Sequence, residues 1–484
     1  MSNPMDAVVV GAGPVGLLTA IELTLGGARI VVLERLPSPS NAMKAMAIGP
    51  LGAEALMRRG MAGAIATRDG MDQRPRKFSG HFAGLSLIRS DAQKEPERRT
   101  RAVDQQGVEA MLAERARSLD IEVRRECEVV GFTLHADGID VEWTTPTGAG
   151  QTQCSYLVGC DGGRSVIRKM AGFEFPGSSP TLTFYQAVVE IDRPDLLLPI
   201  GWNRTPGGVY SYGRFADRLL MLDFTGPPEN RDAPVTREEI ESVLRRISGT
   251  DVHVSALESG SRWTDNTRLV DTYRQGRVLL AGDAAHVHSP FGGQGLSLGL
   301  VDAANLGWKL AAVIRGEMPE SLLDTYTTER RPVAKAVLAN TLAQVAIMRP
   351  DPQSGAMRDI VANLMQLDDA NRLIGEMMSG LSTRYDLGSE RDDVGRLIGD
   401  KPIRHGDADV SLYDVMQDGM GVLLDASTDR KASTLVAATT QKVRRVAVNK
   451  GPSMLIRPDA CVAWASEENN TDGLEPAVRR WFEP

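Results

Sequence analysis

Uninterrupted apolar runs and helical patterns alternate at the start of the chain. Two apolar runs are typical of buried parallel strands: Val8–Val10, and the run in "ARIVVLER", whose strand is expected to end at Glu34. The pattern of Val15–Leu25 between them predicts a helix, and a glycine-rich turn precedes it. The order strand, turn, helix and strand predicts a βαβ unit.

The hydrophobic pattern changes twice further along. An amphipathic helix, "DQQGVEAMLAERARSLDIEVRR", runs into a strand, and two more strands turn at Asp137–Gly138. From about Phe175 to Trp263, alternation in "LTFYQAVVEI", "GGVYSYGR" and "RLLMLDF" predicts an inserted antiparallel sheet. A buried strand in "GRVLLAGDAAH" and long helices to about Ser382 follow, and the last hundred residues predict a separate small α/β unit.

Length and charge narrow the class of protein. A chain of 484 residues is expected to form two or three domains, and its net charge of −8 disfavours nucleic acid as a partner. No long uncharged apolar run predicts a membrane span, and the N-terminus does not resemble a signal peptide. The 4 cysteines are scattered without a C-x-x-C, which predicts free thiols in the cytoplasm.

The first chemical signal is G-x-G-x-x-G at Gly11, Gly13 and Gly16, with the acid Glu34 about 20 residues further on. In this context the first glycine permits a tight turn, the second lets a pyrophosphate approach, and the third lets the helix pack on the strand. Glu34 is then expected to accept hydrogen bonds from an adenosine ribose. The alternative is a glycine-rich turn that binds no ligand.

The second signal is "AGDAAHVHSPFGGQGLSLGLVDAANLGWKLA", which starts at Ala281. Gly292, Gly293 and Gly295 precede a helical pattern there, so the main chain can approach a flat or anionic ligand at a helix N-terminus.

Three motifs in fixed order carry a family resemblance: "GAGPVG" at Gly11, "GCDGGRS" at Gly159 and "LLAGDAAHVHSPFGGQG" at Leu279. Together they resemble the single-component flavin-dependent aromatic hydroxylases, which include p-hydroxybenzoate and phenol hydroxylases. The C-terminal unit resembles the thioredoxin-like appendage of the subgroup that acts on aromatic polyketides and rifamycins.

The resemblance implies an α/β fold with a Rossmann-like FAD-binding domain, an inserted antiparallel-sheet substrate domain and a C-terminal thioredoxin-like domain. The expected divisions are residues 1–174 for the first part of the FAD-binding domain, with 71–100 left open between it and the substrate domain, 175–268 for the substrate domain, 269–385 for the second part of the FAD-binding domain with the long helices, and 386–484 for the thioredoxin-like domain without C-x-x-C.

The resemblance also assigns roles to residues. Asp161, with Arg164, would serve both FAD and NAD(P)H, Asp283 would hold the ribityl chain, Gln105 would approach the flavin and Arg35 the adenine. Lys44 and Ser297 stand where the family usually has arginine and asparagine. The expected cofactor-binding set is Gly11, Gly13, Pro14, Val15, Gly16, Glu34, Arg35, Lys44, Gln105, Asp161, Asp283, Pro290, Gly293, Gly295, Leu296 and Ser297.

The implied activity is a monooxygenase reaction in which NAD(P)H reduces FAD and O2 forms a flavin C4a-hydroperoxide that hydroxylates a phenolic or polycyclic aromatic substrate. The backbone of Pro290, Phe291, Gly292 and Gly293 is the expected catalytic loop, and no general base is assigned. Substrate contacts are expected at Tyr185, Tyr210, Tyr212 and Arg214, with plain packing as the alternative. A monomer or homodimer is expected, with no other partner than the small aromatic substrate.

Other functions stay open or are disfavoured at this point. Baeyer–Villiger insertion into a ketone and a non-catalytic FAD-binding module remain alternatives. His286 and His288 could suggest a metal site, but residues two apart on an extended segment point to opposite sides, so no metal is predicted. No P-loop, redox cysteine pair or second dinucleotide-binding unit occurs in the sequence.

Overall fold

The computed structural model describes residues 4–69, 77–231, 233–405, 408–449, 451–467 and 469–483. A few side chains inside strands, including that of Arg214, also lie outside this description. The segment 71–100 is therefore described from residue 77 onward.

Residues 5–170 supply most of an eight-stranded central sheet and of the helices that cover it. The strand Met5–Val10 is buried along its apolar half, where it pairs with a parallel strand on each side. The elements of this part are β1 (Met5–Val10), α1 (Pro14–Leu25), β2 (Ile30–Leu33), α2 (Pro50–Leu56), α3 (Ala62–Arg68), β3 (Phe78–Phe82), β4 (Leu85–Arg89), α4 (Gln105–Ser118), β5 (Glu122–Arg124), β6 (Glu128–Leu134), β7 (Ile139–Thr145), β8 (Gly148–Gly159) and α5 (Val166–Met170).

The inserted part forms a four-stranded antiparallel sheet with one helix on it. Its elements are β9 (Gly177–Ser178), β10 (Thr183–Asp192), β11 (Asn203–Thr205), β12 (Gly208–Asp223), α6 (Arg237–Ser248), β13 (His253–Thr264) and β14 (Thr267–Leu269). The strand order is β11-β12-β10-β13, and α6 packs on one face of this sheet. The predicted antiparallel insertion is present.

The chain then returns to the central sheet and continues into four helices. The elements are β15 (Arg274–Gln275), β16 (Val278–Leu280), β17 (His286–Val287), α7 (Gly295–Ile314), α8 (Asp324–Met348), α9 (Pro352–Leu364) and α10 (Asp368–Ser379). Strand β16 pairs parallel to β8, so the central order is β15-β16-β8-β1-β2-β5, with β7 and β6 added antiparallel beside β8. Among the described helices, the stretch Phe291–Ile314 is long and apolar enough to cross a membrane, but 83% of its apolar window is buried inside the protein, as in a core helix.

The C-terminal unit has the topology of a thioredoxin-like domain. Its elements are β18 (Pro402–His405), β19 (Ala408–Ser411), β20 (Gly421–Asp425), α11 (Lys431–Thr439), β21 (Val443–Ala447), β22 (Ser453–Ile456), β23 (Val462–Ser466) and α12 (Leu474–Phe482). The main sheet has the order β21-β20-β22-β23, with β20 and β21 parallel and the other pairs antiparallel. The short helical turns in the described residues are Met57–Met61, Ser90–Ala92, Pro194–Leu196, Gly282–Ala284, Phe291–Gly293, Glu320–Leu323 and Asp414–Met416.

A cluster of buried charges joins this unit to α7 and α8. Both carboxylate oxygens of Glu329 accept from Arg457, at 2.7 and 2.8 Å, and Arg457 also donates to Asp459. Lys309 donates to the same Glu329 at 2.8 Å, and Asn305 bridges Glu329 and Asp459. All five side chains are almost completely buried, so the C-terminal unit is docked through ion pairs that water does not reach.

Candidate active site

Four adjacent parallel strands bring the predicted motifs to one edge of the central sheet. Val10 pairs with Gly159 and with Leu33, and Gly159 also pairs with Leu280. The carboxyl ends of parallel strands meet at the same edge, where ligands bind in open α/β sheets. The residues that follow β16, β8, β1 and β2 at this edge are Asp283, Asp161, Gly11 and Glu34.

The three glycines of the first motif have different surroundings. Gly11 has a φ of +103°, and a Cβ there would lie 2.6 Å from the carbonyl oxygen of Cys160. A Cβ on Gly16 would lie 1.9 Å from the carbonyl oxygen of Gly11, so the helix can pack here only with glycine. A Cβ on Gly13 would meet no protein atom within 4 Å. The second glycine therefore faces open space, as a position that a pyrophosphate approaches should.

The start of α1 is open to a ligand as well. Gly13 is its N-cap, no side chain caps it, and Pro14 and Val15 begin the helix. Glu34 accepts the backbone N–H of Ala12 at 2.7 Å on one oxygen and that of Leu36 at 2.8 Å on the other. Each carboxylate oxygen accepts more than one hydrogen bond, so Glu34 can brace the turn and still accept from a ribose. Arg35 is exposed beside it.

The second motif leaves one carboxylate oxygen unused. Asp161 Oδ2 accepts from the backbone of Val166 at 2.6 Å and of Ile167 at 3.2 Å. Its Oδ1 is buried and has no hydrogen-bond partner among the described atoms. A buried acceptor of this kind is expected to be satisfied when a ligand is bound. Arg164 is exposed on the adjoining turn, and burial raises the pKa of the neighbouring Cys160 to about 12, so its thiol is neutral.

The third motif places an exposed acid and an open loop beside the first two. Asp283 is exposed, whereas the residues on both sides of it are buried. Gly292 and Gly293 have φ values of +79° and +64°, and a Cβ on Gly293 would meet nothing within 4 Å. Pro290 is exposed and Phe291 is buried. We call Pro290–Gly293 the flavin loop from here on, after the role predicted for it.

The helix α7 begins directly after the flavin loop, at Gly295. A Cβ on Gly295 would lie 3.3 Å from the ring of His288. Burial lowers the pKa of His288, whose Nδ1 donates to the carbonyl of Ser289 at 2.7 Å in the neutral form. Leu296 is half-buried. The first N–H groups of this helix directly follow the loop, and Arg330 donates to the carbonyl of Leu298 in the first turn at 3.1 Å.

Three other predicted cofactor residues lie at the border of this site. Ser297 Oγ accepts the backbone N–H of Gly49 at 2.8 Å, so it ties α7 to the start of α2, and its proton is still available to donate. Gln105, the first residue of α4, donates to Glu109 at 2.8 Å. Lys44 is exposed. Their roles toward a flavin stay predictions.

The two histidines of the third motif have structural partners. His286 is fully buried, and its Nε2 lies 2.6 Å from Asp302. Burial raises the pKa of Asp302, but Arg330 and His286 outweigh this effect and lower it, so the carboxylate is charged. Within the part of the chain that is described, no group of three or more His, Cys, Asp or Glu side chains is arranged to hold a metal ion.

Taken together, these features fit an FAD molecule. The uncapped helix and open Gly13 suit a pyrophosphate, the orphaned Asp161 oxygen and exposed Asp283 suit hydroxyl donors, and the open Gly293 suits a flat ring.

A cavity of about 820 Å³ opens next to the flavin loop. Its lining comes from the flavin loop itself and the start of α7, from the inserted sheet, from β3 and β4, and from α8 and α10. One wall is aromatic: the ring centroids of Phe184 and Phe291 lie 6.1 Å apart, Trp202 lies 6.2 Å from Phe291, and His81 lies 5.6 Å from Trp202. A cavity of this size with one aromatic wall suits a flat organic molecule.

The tyrosines expected to contact the substrate lie on the other face of the inserted sheet. Tyr185 donates to Glu239 on α6 at 3.0 Å, and the Tyr210 hydroxyl accepts from Leu198 at 2.9 Å. Tyr212 packs into the same cluster, and none of the three lines the cavity. Successive residues of a strand alternate faces, so Phe184 in "TFYQAVVEI" faces the cavity instead. The alternation was readable in the sequence, but which face α6 covers was not.

Arg214 cannot be placed in this way, because its side chain lies outside the described part of the structure. Three ring-bearing residues of the lining that sequence reasoning did not single out are His81, Phe184 and Trp202. His81 and Trp202 lie in segments without any motif, so only the fold brings them to the cavity.

Comparison with known proteins assigns the family. A model described as an FAD binding domain matches residues 4–341, and one described as an aromatic-ring hydroxylase C-terminal region matches residues 391–484. The 12-dehydrotetracycline 5-monooxygenase/anhydrotetracycline 6-monooxygenase of Streptomyces rimosus is 38% identical over 506 residues, covering 99% of each chain. The rifampicin monooxygenase of Streptomyces venezuelae is 37% identical over 486 residues, covering 99% of this chain and 98% of the relative.

A solved structure is similar over its whole length. The anhydrotetracycline hydroxylase from Streptomyces rimosus superposes with a TM-score of 0.89 at 36% identity, covering 100% of both chains. FAD binding and the monooxygenase class expected from the motifs are thereby confirmed. The chain belongs to the FAD-dependent aromatic-ring hydroxylases, monooxygenases that use NAD(P)H and O2.

Proposed function

We propose that this monooxygenase hydroxylates a polycyclic phenol of the aromatic-polyketide type. The observation that carries the proposal is the aromatic wall of Phe184, Trp202 and Phe291 in a cavity of about 820 Å³ beside the flavin loop. Stacked and edge-to-face contacts with such rings favour flat aromatic ligands. The relatives that act, by name, on anhydrotetracycline and on rifampicin support the same substrate class.

The residues divide into those that hold the cofactor and those that orient the substrate. Gly13 and the start of α1 would hold the pyrophosphate of FAD, Glu34 the adenosine ribose and Asp283 the ribityl chain. When bound, FAD supplies the redox chemistry by which NAD(P)H and O2 are used. The flavin loop and the start of α7 would place backbone N–H groups against the ring, where they stabilise negative charge.

The cavity walls would exclude water and orient the ring to be oxidised. His81 borders the cavity, and its Nδ1 accepts the backbone N–H of Gly84 at 3.3 Å, which holds the ring at the cavity wall. Exclusion of water matters because it limits the loss of activated oxygen as H₂O₂ before the substrate is oxidised. A cytoplasmic location and a monomeric or homodimeric state belong to the same proposal.

The test uses the FAD-loaded protein with anhydrotetracycline and rifampicin as probes. NADPH and NADH oxidation are followed with and without each probe, and products are examined by mass spectrometry and NMR under ¹⁸O₂. We expect a probe to stimulate NAD(P)H oxidation severalfold and to gain one ¹⁸O as a ring hydroxyl.

Other outcomes distinguish the alternatives. One ¹⁸O in a new ester or lactone would identify Baeyer–Villiger insertion instead. Stimulated oxidation that yields only H₂O₂, or no stimulation by any polycyclic phenol in a wider panel, would contradict the proposed substrate class.

A further inference from the structure

Three buried amide side chains form one hydrogen-bonded chain behind the flavin loop. The backbone N–H of Ala83 donates to Gln344 Oε1 at 3.0 Å, and Gln344 Nε2 donates to Asn340 Oδ1 at 3.4 Å. Asn340 Nδ2 donates to Gln294 Oε1 at 2.9 Å, and Gln294 Nε2 donates to the carbonyl of Met377 at 2.9 Å. We call Gln294, Asn340 and Gln344 the amide chain.

The two ends of the amide chain determine the direction of every amide in it. Ala83 offers a backbone N–H, which can only donate, and Met377 offers a carbonyl, which can only accept. Each amide between them must then present its oxygen toward Ala83 and its nitrogen toward Met377. The assignment of oxygen and nitrogen in these three groups is therefore set by the backbone.

The amide chain contacts the flavin loop and both neighbouring cavity walls. Gln294 directly follows the loop, and a Cβ on Gly292 would lie 3.2 Å from Gln344 Nε2. Ala83 belongs to the turn between β3 and β4, and Met377 belongs to α10. The relative exposures of Gln294, Asn340 and Gln344 are 7%, 5% and 0%. Water therefore cannot readily replace a hydrogen-bond partner that a substitution removes.

We infer that the amide chain is a positioning device that sets the flavin loop at a fixed place between the two walls. The inference rests on the proposed function, because the flavin ring is taken to lie at this loop. Gln294 and Asn340 also border the cavity, whereas Gln344 does not, so an effect of a Gln344 variant must act through the loop backbone. Such a device explains why three polar side chains are buried where apolar packing would otherwise suffice.

The test compares two buried asparagines in the full-length protein. Asn340→Asp keeps the size of the side chain but has no N–H to donate to Gln294, and Asn340→Leu removes both hydrogen bonds without adding charge. The matched control is Asn371→Leu. Asn371 is fully buried and donates to Leu87 and Met365, both at 2.8 Å, but it has no hydrogen bond to the flavin loop.

The readouts are the FAD dissociation constant from flavin fluorescence and the melting temperature of the apoprotein. We expect Asn340→Asp to raise the dissociation constant about tenfold, the effect of one lost hydrogen bond that leaves a buried amide unpaired, and Asn340→Leu, which loses both hydrogen bonds, to raise it at least as much. Asn371→Leu should lower the melting temperature of the apoprotein about as much as the Asn340 variants do. It should change the FAD dissociation constant less than twofold. Gln344→Glu keeps the hydrogen bonds of Gln294. Its FAD dissociation constant should therefore lie between those of the Asn340 variants and that of Asn371→Leu.

Two results would overturn the inference. One is an unchanged FAD dissociation constant in both Asn340 variants, and the other is an equal change in Asn371→Leu, which would make the amide chain ordinary core packing. Failure of the proposed function is separate, since it appears as wild-type protein that binds FAD yet oxygenates no polycyclic phenol.

Discussion

The flavin site and the junction with the C-terminal unit differ in whether their polar groups have partners within the protein. At the site, Asp161 keeps a buried oxygen without a partner, Asp283 is exposed, and a Cβ on Gly13 would meet open space. At the junction, Glu329 and Arg457 are buried with their charged atoms paired. Unused polar groups and open glycines mark a place that a ligand completes, whereas closed networks mark a place that the chain completes by itself.

This difference predicts two separable kinds of variant. Changes at the junction should lower the free energy of unfolding of the apoprotein. Changes at open positions of the site should lower FAD affinity and leave the apoprotein stable.

The largest effect is expected at the junction from Arg457→Met. The substitution leaves Glu329 and Asp459 buried without their main cation, and breaking a buried ion pair costs about 3–5 kcal/mol. Denaturant unfolding of the apoprotein measures this loss. The matched control is Arg479→Met, because Arg479 pairs with Glu475 on the surface and its side chain is 62% exposed. Equal stability of the two variants would contradict the structural role of the junction.

The next effect contrasts two glycines of one motif. Gly13→Val introduces a branched side chain into space that no protein atom occupies, on an ordinary extended backbone with a φ of −74°. We expect FAD affinity to fall about 100-fold or more, with little change in the apoprotein melting temperature. The smaller change Gly16→Ala should instead destabilise the apoprotein, since its Cβ would lie 1.9 Å from a backbone oxygen. If Gly13→Val destabilised the apoprotein while Gly16→Ala lowered only FAD affinity, the prediction that FAD binds at this turn would be wrong.

The meeting of the three motifs at one edge of the central sheet was predictable from the sequence, because local patterns determine it. A glycine turn between a strand and a helix has one geometry, and parallel strands place their following residues at one edge. The lining of the proposed substrate cavity was not predictable, since it depends on which face of the inserted sheet α6 covers. His81 and Trp202 reach the cavity through contacts between segments far apart in sequence. No local pattern reports such contacts.

A medium effect is expected from Glu34→Ala. The carboxylate accepts from Ala12 and Leu36, and by prediction from the ribose of FAD, so its removal loosens the turn and deletes a ligand contact. We expect FAD affinity to fall about tenfold, from the loss of a charge-assisted hydrogen bond of about 1.5–3 kcal/mol. Flavin fluorescence titration measures it. Glu34→Gln keeps one acceptor oxygen, so its FAD affinity should lie between those of wild type and Glu34→Ala. An unchanged affinity in both variants would argue against the ribose role.

A smaller effect tests the junction by pH. Burial lowers the pKa of Lys309 from 10.5 to about 8, although Glu329 opposes the shift. Between these values the unfolded chain binds more protons than the folded one, so this group's contribution to stability increases as pH rises from about 8 to about 10. We compare wild type with Lys309→Met by denaturant unfolding at pH 7.5 and 9.5, and expect wild type to gain about 2 kcal/mol relative to the variant. A constant difference between them would show that Lys309 does not titrate in this range.

The smallest expected effect separates the two faces of β10. Tyr185→Phe removes only the hydrogen bond to Glu239, which Arg262 also contacts at 2.6 Å, so the free energy of unfolding should fall by about 1 kcal/mol or less. Because this side chain faces α6 and not the cavity, the KM for a polycyclic phenol should stay the same. Phe184→Leu conserves the apolar character of the neighbouring position but removes an aromatic ring from the cavity wall, so KM should rise severalfold. Steady-state kinetics with a probe that the wild type oxygenates, together with denaturant unfolding, provide both numbers. If Tyr185→Phe changes KM while Phe184→Leu does not, the substrate lies on the α6 side of the sheet and the cavity beside the flavin loop is not its site.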